Sequence, residues 1–325
     1  MKRALITGIT GQDGRHLTQF LLEKDYEIFG FIYDIEKIRN SEFAKRFPSV
    51  KLIPGDLAKH TSVEDAINLS QPDEIYNLGA ITFVGDSFKI PEMTADITGL
   101  GSLRILEAIR KSGIQEKVKF YQASSSEMFG KVLQIPQSET TPFNPQSPYA
   151  SAKTFAHFSC VNYREAYGIH ASSGILFNHE GEYRGYEFVT RKITSNVAKI
   201  KLNKQSKFSL GKLSPKRDWG YAGDYVEAMW LMTQQEKADT FVIATGVSHS
   251  VQQFVEMALE VAGLEKDVSR FVDFDVEMVR PSEVEALVGD SSKANKILGW
   301  KPKTDFKKLI EIMVENDLKI EASKK

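Results

Sequence analysis

Cysteine is nearly absent: the 325-residue chain carries one, Cys160, so no internal disulfide can form and a reducing, cytoplasmic setting is expected. Long apolar runs are missing as well. No stretch approaches the roughly 18 consecutive apolar residues of a membrane helix, so a membrane partner is not expected. Neither sign of charge is in excess, because 42 basic residues face 43 acidic ones and leave a formal charge of −1. That balance supplies no global field for gathering a polyanion, which argues against nucleic acid as a partner. Met1 leads straight into the strand-like Arg3-Ala4-Leu5-Ile6 with no basic and apolar leader, in keeping with the same setting. Internal repeats, low-complexity tracts and Pro-rich linkers are lacking too. The rest is globular material, 42% hydrophobic and 26% charged, on a chain long enough to bury roughly three quarters of its surface.

In the first half, short apolar runs alternate with stretches of helical period, the pattern of β-α repeats and a parallel sheet. Strands are predicted at 3–7, 27–33, 50–54, 74–78, 118–123 and 170–177. Helices are predicted between them, as at 15–23, where Leu17, Phe20 and Leu21 share a face, and at 93–111. Beyond residue 174 the alternation breaks into longer loops, a helix at 188–202, a polar turn at 212–217, and a helix and strand pair at 225–234 and 241–244. Two further helices, 251–262 and 305–322, flank a connector containing Arg280-Pro281-Ser282-Glu283. The expected fold is α/β: a Rossmann-type doubly wound parallel sheet with a smaller C-terminal α/β substrate domain. Residues 1–173 would form the dinucleotide-binding part, with 220–247 returning to it, and 174–325 the substrate part, with the cleft between them.

The first strand runs into Gly8-Ile9-Thr10-Gly11-Gln12-Asp13-Gly14, and a helix pattern opens at once. Glycines spaced by three allow a tight turn, close backbone approach to a diphosphate, and a helix N-terminus aimed at its charge. The same spacing also serves a plain β-turn-α connection. Asp34, 20 residues after Gly14, reads either as an acceptor for an adenosine ribose, which favours NAD, or as a turn cap. Lys37 and Arg39 could offset its repulsion of a 2'-phosphate if the loop folds back. Asp56, after the third strand, reads as a turn residue or an adenine contact.

Tyr149 and Lys153 stand four apart at the start of a helical stretch and so share a face. A phenol with a reference pKa of about 10 is a poor base at neutral pH, and a nearby ammonium lowers that value. Ser124-Ser125-Ser126-Glu127 follows the fifth strand at the sheet edge where doubly wound folds bind ligands. A surface Tyr/Lys pair and a helix N-terminal acid at Glu127 are the bland alternatives. No metal-ligand set is read from the chain.

These segments, with Gln71-Pro72-Asp73-Glu74-Ile75-Tyr76-Asn77-Leu78-Gly79-Ala80, Gln122 to Gly130, Ser147-Pro148-Tyr149-Ala150-Ser151-Ala152-Lys153, Leu176-Phe177-Asn178-His179-Glu180, Phe188 to Ile193, Arg217-Asp218-Trp219-Gly220 and Arg280 to Glu285, resemble the extended short-chain dehydrogenases/reductases. Within that group the chain is similar over nearly its whole length to the GDP-mannose 4,6-dehydratases. The resemblance implies conversion of a GDP-hexose to its 4-keto-6-deoxy form: C4 oxidation, loss of water across C5 and C6, and hydride return to C6. It implies Tyr149 as the base at the C4 hydroxyl, Glu127 as the base at C5, Ser125 on the C4 oxygen, and Lys153 on the nicotinamide ribose. NADP or NAD would lie on Gly8, Gly11, Gln12, Asp13, Gly14, Asp34, Asp56, Leu57, Leu78, Gly79, Ala80, Thr82, Tyr149, Lys153, His179 and Arg184. Asn178, Val189, Lys192, Arg217, Arg280 and Glu283 would line the GDP-sugar site.

The chain also departs from that pattern near both ligands. Tyr33-Asp34 stands where paired arginines are usual, Tyr183 and Gln146 replace arginines, Lys212 replaces an asparagine, and Ser125 a threonine. Lost positive charge points toward NAD, an altered GDP-hexose, or redundancy. The short loop after Asp34 favours a homodimer over a tetramer. A GDP-sugar epimerase or 4-reductase, which needs no base at C5, and a dinucleotide-sensing protein without chemistry are the competing readings.

Overall fold

The computed structural model describes residues 1–278, 284 and 286–324. Its frame is one seven-stranded parallel sheet: β1 (Arg3–Thr7), β2 (Glu27–Ile32), β3 (Lys51–Pro54), β4 (Glu74–Asn77), β5 (Lys119–Ser125), β6 (His170–Leu176) and β10 (Thr240–Ile243). The order is β3-β2-β1-β4-β5-β6-β10, so the winding reverses between β1 and β4 and opens a crevice at the C-terminal strand ends. Both faces are covered, which is why the strands read as continuous apolar runs. Neighbouring residues go to opposite faces, Leu5 and Phe120 to one buried cluster, Ile6 and Tyr121 to the other.

Thr240–Ile243 pairs in parallel with Ser173–Leu176, and the helix Ala222–Gln234 before it packs on the first helix, Gln12–Leu22. A third cluster, with Ile193, Val197, Phe254, Leu259, Leu309 and Met313, unites the helices Val189–Lys201, Val251–Val261 and Phe306–Ser323. Short strands complete this region: β7 (Asn178–Glu180), β8 (Phe208–Leu210), β9 (Lys216–Tyr221), β11 (Ser248–Ser250), β12 (Val272–Phe274) and β13 (Ala286–Leu287). β9 is their hub, pairing with β7, β11 and β13. The polar turn expected to reach residue 217 therefore ends earlier, because Lys216 and Arg217 already pair with Ser250 and His249. The helix expected at 93–111 starts at Pro91 and passes through a π-helical turn, Ala95–Leu100. Gly99 lies in that turn, where an added Cβ would stand 3.4 Å from the Ala152 carbonyl oxygen.

Candidate active site

The site begins with a polar row inside the sheet. Thr7 and Asn77, the last residues of β1 and β4, and Gln122 in the middle of β5 are register partners. Thr7 Oγ1 donates to Asn77 Oδ1 at 2.7 Å, and Asn77 Nδ2 and Ser102 Oγ donate to Gln122 Oε1 at 2.9 and 2.6 Å. Gln122 Nε2 then reaches the Ala123 carbonyl at 3.1 Å. A buried row that satisfies itself ties the three strands together rigidly.

Onto that frame the chain mounts the four residues expected to carry chemistry. β5 runs two residues beyond its expected end and closes on Ser125, whose hydroxyl accepts from the Glu127 amide at 3.2 Å and caps the short turn Ser126–Phe129. Ser147 caps the helix Pro148–Tyr167 by accepting from the Ala150 amide at 3.1 Å, which sets Tyr149 and Lys153 in its first two turns. Lys153 Nζ donates to the Ala123 carbonyl at 2.7 Å and lies 5.8 Å from the centre of the Tyr149 ring. Ser125, Glu127, Tyr149 and Lys153 line one cavity of about 130 Å³ together with Leu78, Thr82, Asn178, His179 and Arg184.

The electrostatics correct one expectation. Burial pushes the Tyr149 phenol up to about 12, against a Ser125 hydrogen bond and the Arg184 charge, which pull it down, while Glu127 pushes it further up. Burial also pulls Lys153 down to about 8. Burial is the largest influence on the phenol, so it, and not the drop expected from Lys153, governs Tyr149.

The glycine turn is built for close approach. Gly8 adopts φ +67°, and a Cβ there would stand 2.9 Å from the Gly79 amide nitrogen; at Gly14 it would stand 2.3 Å from the Ile9 carbonyl oxygen. Beside the turn a cavity of about 600 Å³ is lined by Gly8, Arg15, Asp34, Lys37, Asp56, Leu57 and Gly79. Its size, its glycine wall and the helix N-terminus fit the adenosine end of a dinucleotide. Asp34 caps a turn as well, accepting from the Lys37 amide at 3.1 Å, and Asp56 accepts locally from the Ala58 amide at 2.9 Å. Arg39 pairs with Glu36 at 2.9 Å on the exposed surface. Gly11 and Gln12 belong to the turn and helix start, and Ala80 follows Gly79 on the β4 loop.

His179 bridges turn and crevice. Its Nε2 lies 2.8 Å from Asp13 Oδ2 and its Nδ1 2.7 Å from the Phe177 carbonyl oxygen. Arg184 pairs with the buried Glu180 at 2.8 Å and stacks on Phe188 at 3.5 Å.

A second cavity, about 140 Å³, shares Glu127, Asn178, Arg184 and Phe188 with the first and adds Val189, Lys212, Arg217 and Trp219. Arg217 is buried there and donates to the Val284 carbonyl at 2.6 Å. A third space of about 490 Å³ continues from it past Val189 and includes Lys192. Arg280 and Glu283 lie outside the described residues.

Some participants went unread. Phe83 and Phe188, edge to face at 5.7 Å, wall the second cavity, and Glu180 anchors Arg184. The row of Thr7, Asn77 and Gln122 had a usable signal: each is a polar residue near the end of an apolar strand.

The GDP-mannose 4,6 dehydratase family model matches residues 5–313. GDP-mannose 4,6 dehydratase 1 of Arabidopsis thaliana is 50% identical over 98% of this chain and 90% of its own length, and the Homo sapiens GDP-mannose 4,6 dehydratase is 48% identical over 98% and 91%. Among solved structures, the UDP-glucose 4-epimerase of Thermotoga maritima superposes with TM-score 0.86 at 23% identity, covering 98% of this chain and 99% of its own, which attests the fold. On the family match and these identities, the chain belongs to the GDP-mannose 4,6-dehydratase family.

Proposed function

We propose that the protein converts GDP-mannose to GDP-4-keto-6-deoxymannose with a bound NAD(P) that ends each turnover as it began. The observation that carries this reading is the sharing of one cavity by Ser125, Glu127, Tyr149 and Lys153, joined through Glu127 and Asn178 to the cavity of Arg217. A nicotinamide bound beside them supplies the acceptor for the C4 hydride and the donor that restores it at C6. Tyr149 takes the C4 hydroxyl proton, and Ser125 holds the C4 oxygen. The resulting ketone acidifies the C5 proton, which Glu127 removes as the C6 hydroxyl leaves. Lys153 holds the nicotinamide ribose from its seat on Ala123. Arg217 pairs with the diphosphate, and Asn178, Val189 and Lys192 line the GDP site; the family resemblance assigns Arg280 and Glu283 to the same ligand.

Asp34 favours NAD over NADP, because its carboxylate accepts from a ribose and repels a 2'-phosphate; tighter NADP binding by calorimetry would refute this. The division of labour is residues 1–173 with 220–247 for the dinucleotide and 174–325 for the nucleotide-sugar. A cytoplasmic homodimer completes the reading. Its support is the lone buried Cys160 and the exposed apolar side chains Met93, Leu100, Phe155 and Phe158 on two packed helical segments.

Incubation with GDP-mannose and either dinucleotide should yield a 4-keto product with hydrogen moved from C4 to C6. A C4 epimer, or accumulation of reduced dinucleotide, would defeat the proposal.

A further inference from the structure

A carboxylate at the site meant for a diphosphate is an electrostatic anomaly. Asp13 stands in the first turn of the Gln12–Leu22 helix, where the helix end attracts anions, and it lines the catalytic cavity. His179 answers it from the short strand β7. The ring nitrogens of His179 lie 2.8 Å from a carboxylate oxygen and 2.7 Å from a carbonyl oxygen. An ionised carboxylate and a carbonyl both only accept, and the ring form that donates to both is the imidazolium. Gln12 Nε2 fastens the arrangement, donating to Asp13 Oδ1 at 3.1 Å and to the His179 carbonyl at 2.9 Å. The Tyr225 ring stacks on His179 at 4.7 Å.

We infer that Asp13 and His179 act as one neutral pair: His179 cancels the Asp13 charge so that the dinucleotide's diphosphate can settle on the glycine turn, and Asp13 in turn positions His179. This rests on the dinucleotide reading above. Burial works against both charges, yet each partner outweighs it for the other, holding Asp13 well below the usual carboxylate range and raising His179. The groups facing the pair are His16 on the same helix as Asp13, Arg184 on the following loop, Tyr225, the buried Tyr121 of β5, and Tyr149 and Lys153 across the cavity.

Calorimetry with NAD and with ADP, a diphosphate probe lacking nicotinamide, should be run on the unaltered protein, H179Q, D13N and H179Q/D13N. H179Q exposes the carboxylate, so both ligands should bind at least about tenfold more weakly. The double variant should recover to within about threefold of the unaltered protein. Equal weakening in H179Q and the double variant, or none in either, overturns the pair. Should H179Q not fold, nitrogen-detected NMR of the unaltered protein at pH 7.5 decides: a doubly protonated ring is expected, and a neutral ring overturns the inference. Failure of the unaltered protein to bind NAD or NADP overturns the dinucleotide reading, and the pair falls with it.

Discussion

Tyr149 meets two opposing demands at the scale of one residue. Burial keeps its phenol protonated, with the value near 12, while the proposed chemistry needs the phenolate. Only the deprotonated form can act as base, so kcat/KM should rise with pH on its acid limb. The Ser125 hydrogen bond pulls the phenol down, and Ser125→Ala should move that limb to higher pH and lower kcat about 10²-fold. Ser125→Thr keeps the hydroxyl and should keep the activity; a pH-rate profile of both variants tests the point. Glu127→Gln should cost about 10²- to 10⁴-fold in dehydration while the bound dinucleotide is still reduced on mixing with GDP-mannose. Loss of both half-reactions, read by absorbance of the reduced nicotinamide, would remove Glu127 from its role at C5.

A neighbouring residue sets a stability prediction. His157 is buried, accepts or donates at 2.9 Å to Ser124, and is pulled down to about 4 by burial and then by Arg164. Its folded value lies below the unfolded one of about 6.5, so between these values the unfolded chain binds more protons. Stability from this residue is therefore present above about pH 6.5 and lost as pH falls toward 4, by about 3 kcal/mol in full. Urea melts at pH 4.5 and 7 should show a smaller acid loss in His157→Gln than in the unaltered protein.

At the scale of elements, the helix Pro148–Tyr167 carries the Tyr and Lys pair, and Ser147 holds its first turn. Ser147→Ala should cost about 1 kcal/mol in chemical denaturation. The segment was legible because a Ser-Pro start and a four-residue spacing are local signals. The six main strands up to Leu176 were legible for the same reason, each being an apolar run between turns. The fifth escaped by two residues at its end, because Ser124 and Ser125 are polar yet stay in register with Ile175 and Leu176. Strands such as Asn178–Glu180 and Ser248–Ser250 were not legible; three residues hold no period, and their pairing with β9 is decided by distant chain. The π-helical turn stayed hidden likewise, since Gly99 shows its purpose only beside Ala152.

At the scale of the whole molecule, the Ser-rich strand end and the Tyr/Lys helix could be paired from the sequence because both belong at the same sheet edge. Asp13 and His179 could not, since 166 residues separate them and neither motif names the other. The exposed Phe155 and Phe158 support self-association. A Phe155→Lys/Phe158→Lys double variant should elute as a monomer by light scattering, and an unchanged assembly would remove this face as the contact.

The pairing of Thr240–Ile243 with β6 bears on any attempt at dissection. Cutting the chain after residue 177 would leave one margin of the sheet without its last neighbour and strip the Ala222–Gln234 cover from the Gln12–Leu22 helix. Such a fragment offers a bare template for other chains and would clump instead of behaving as an autonomous nucleotide binder.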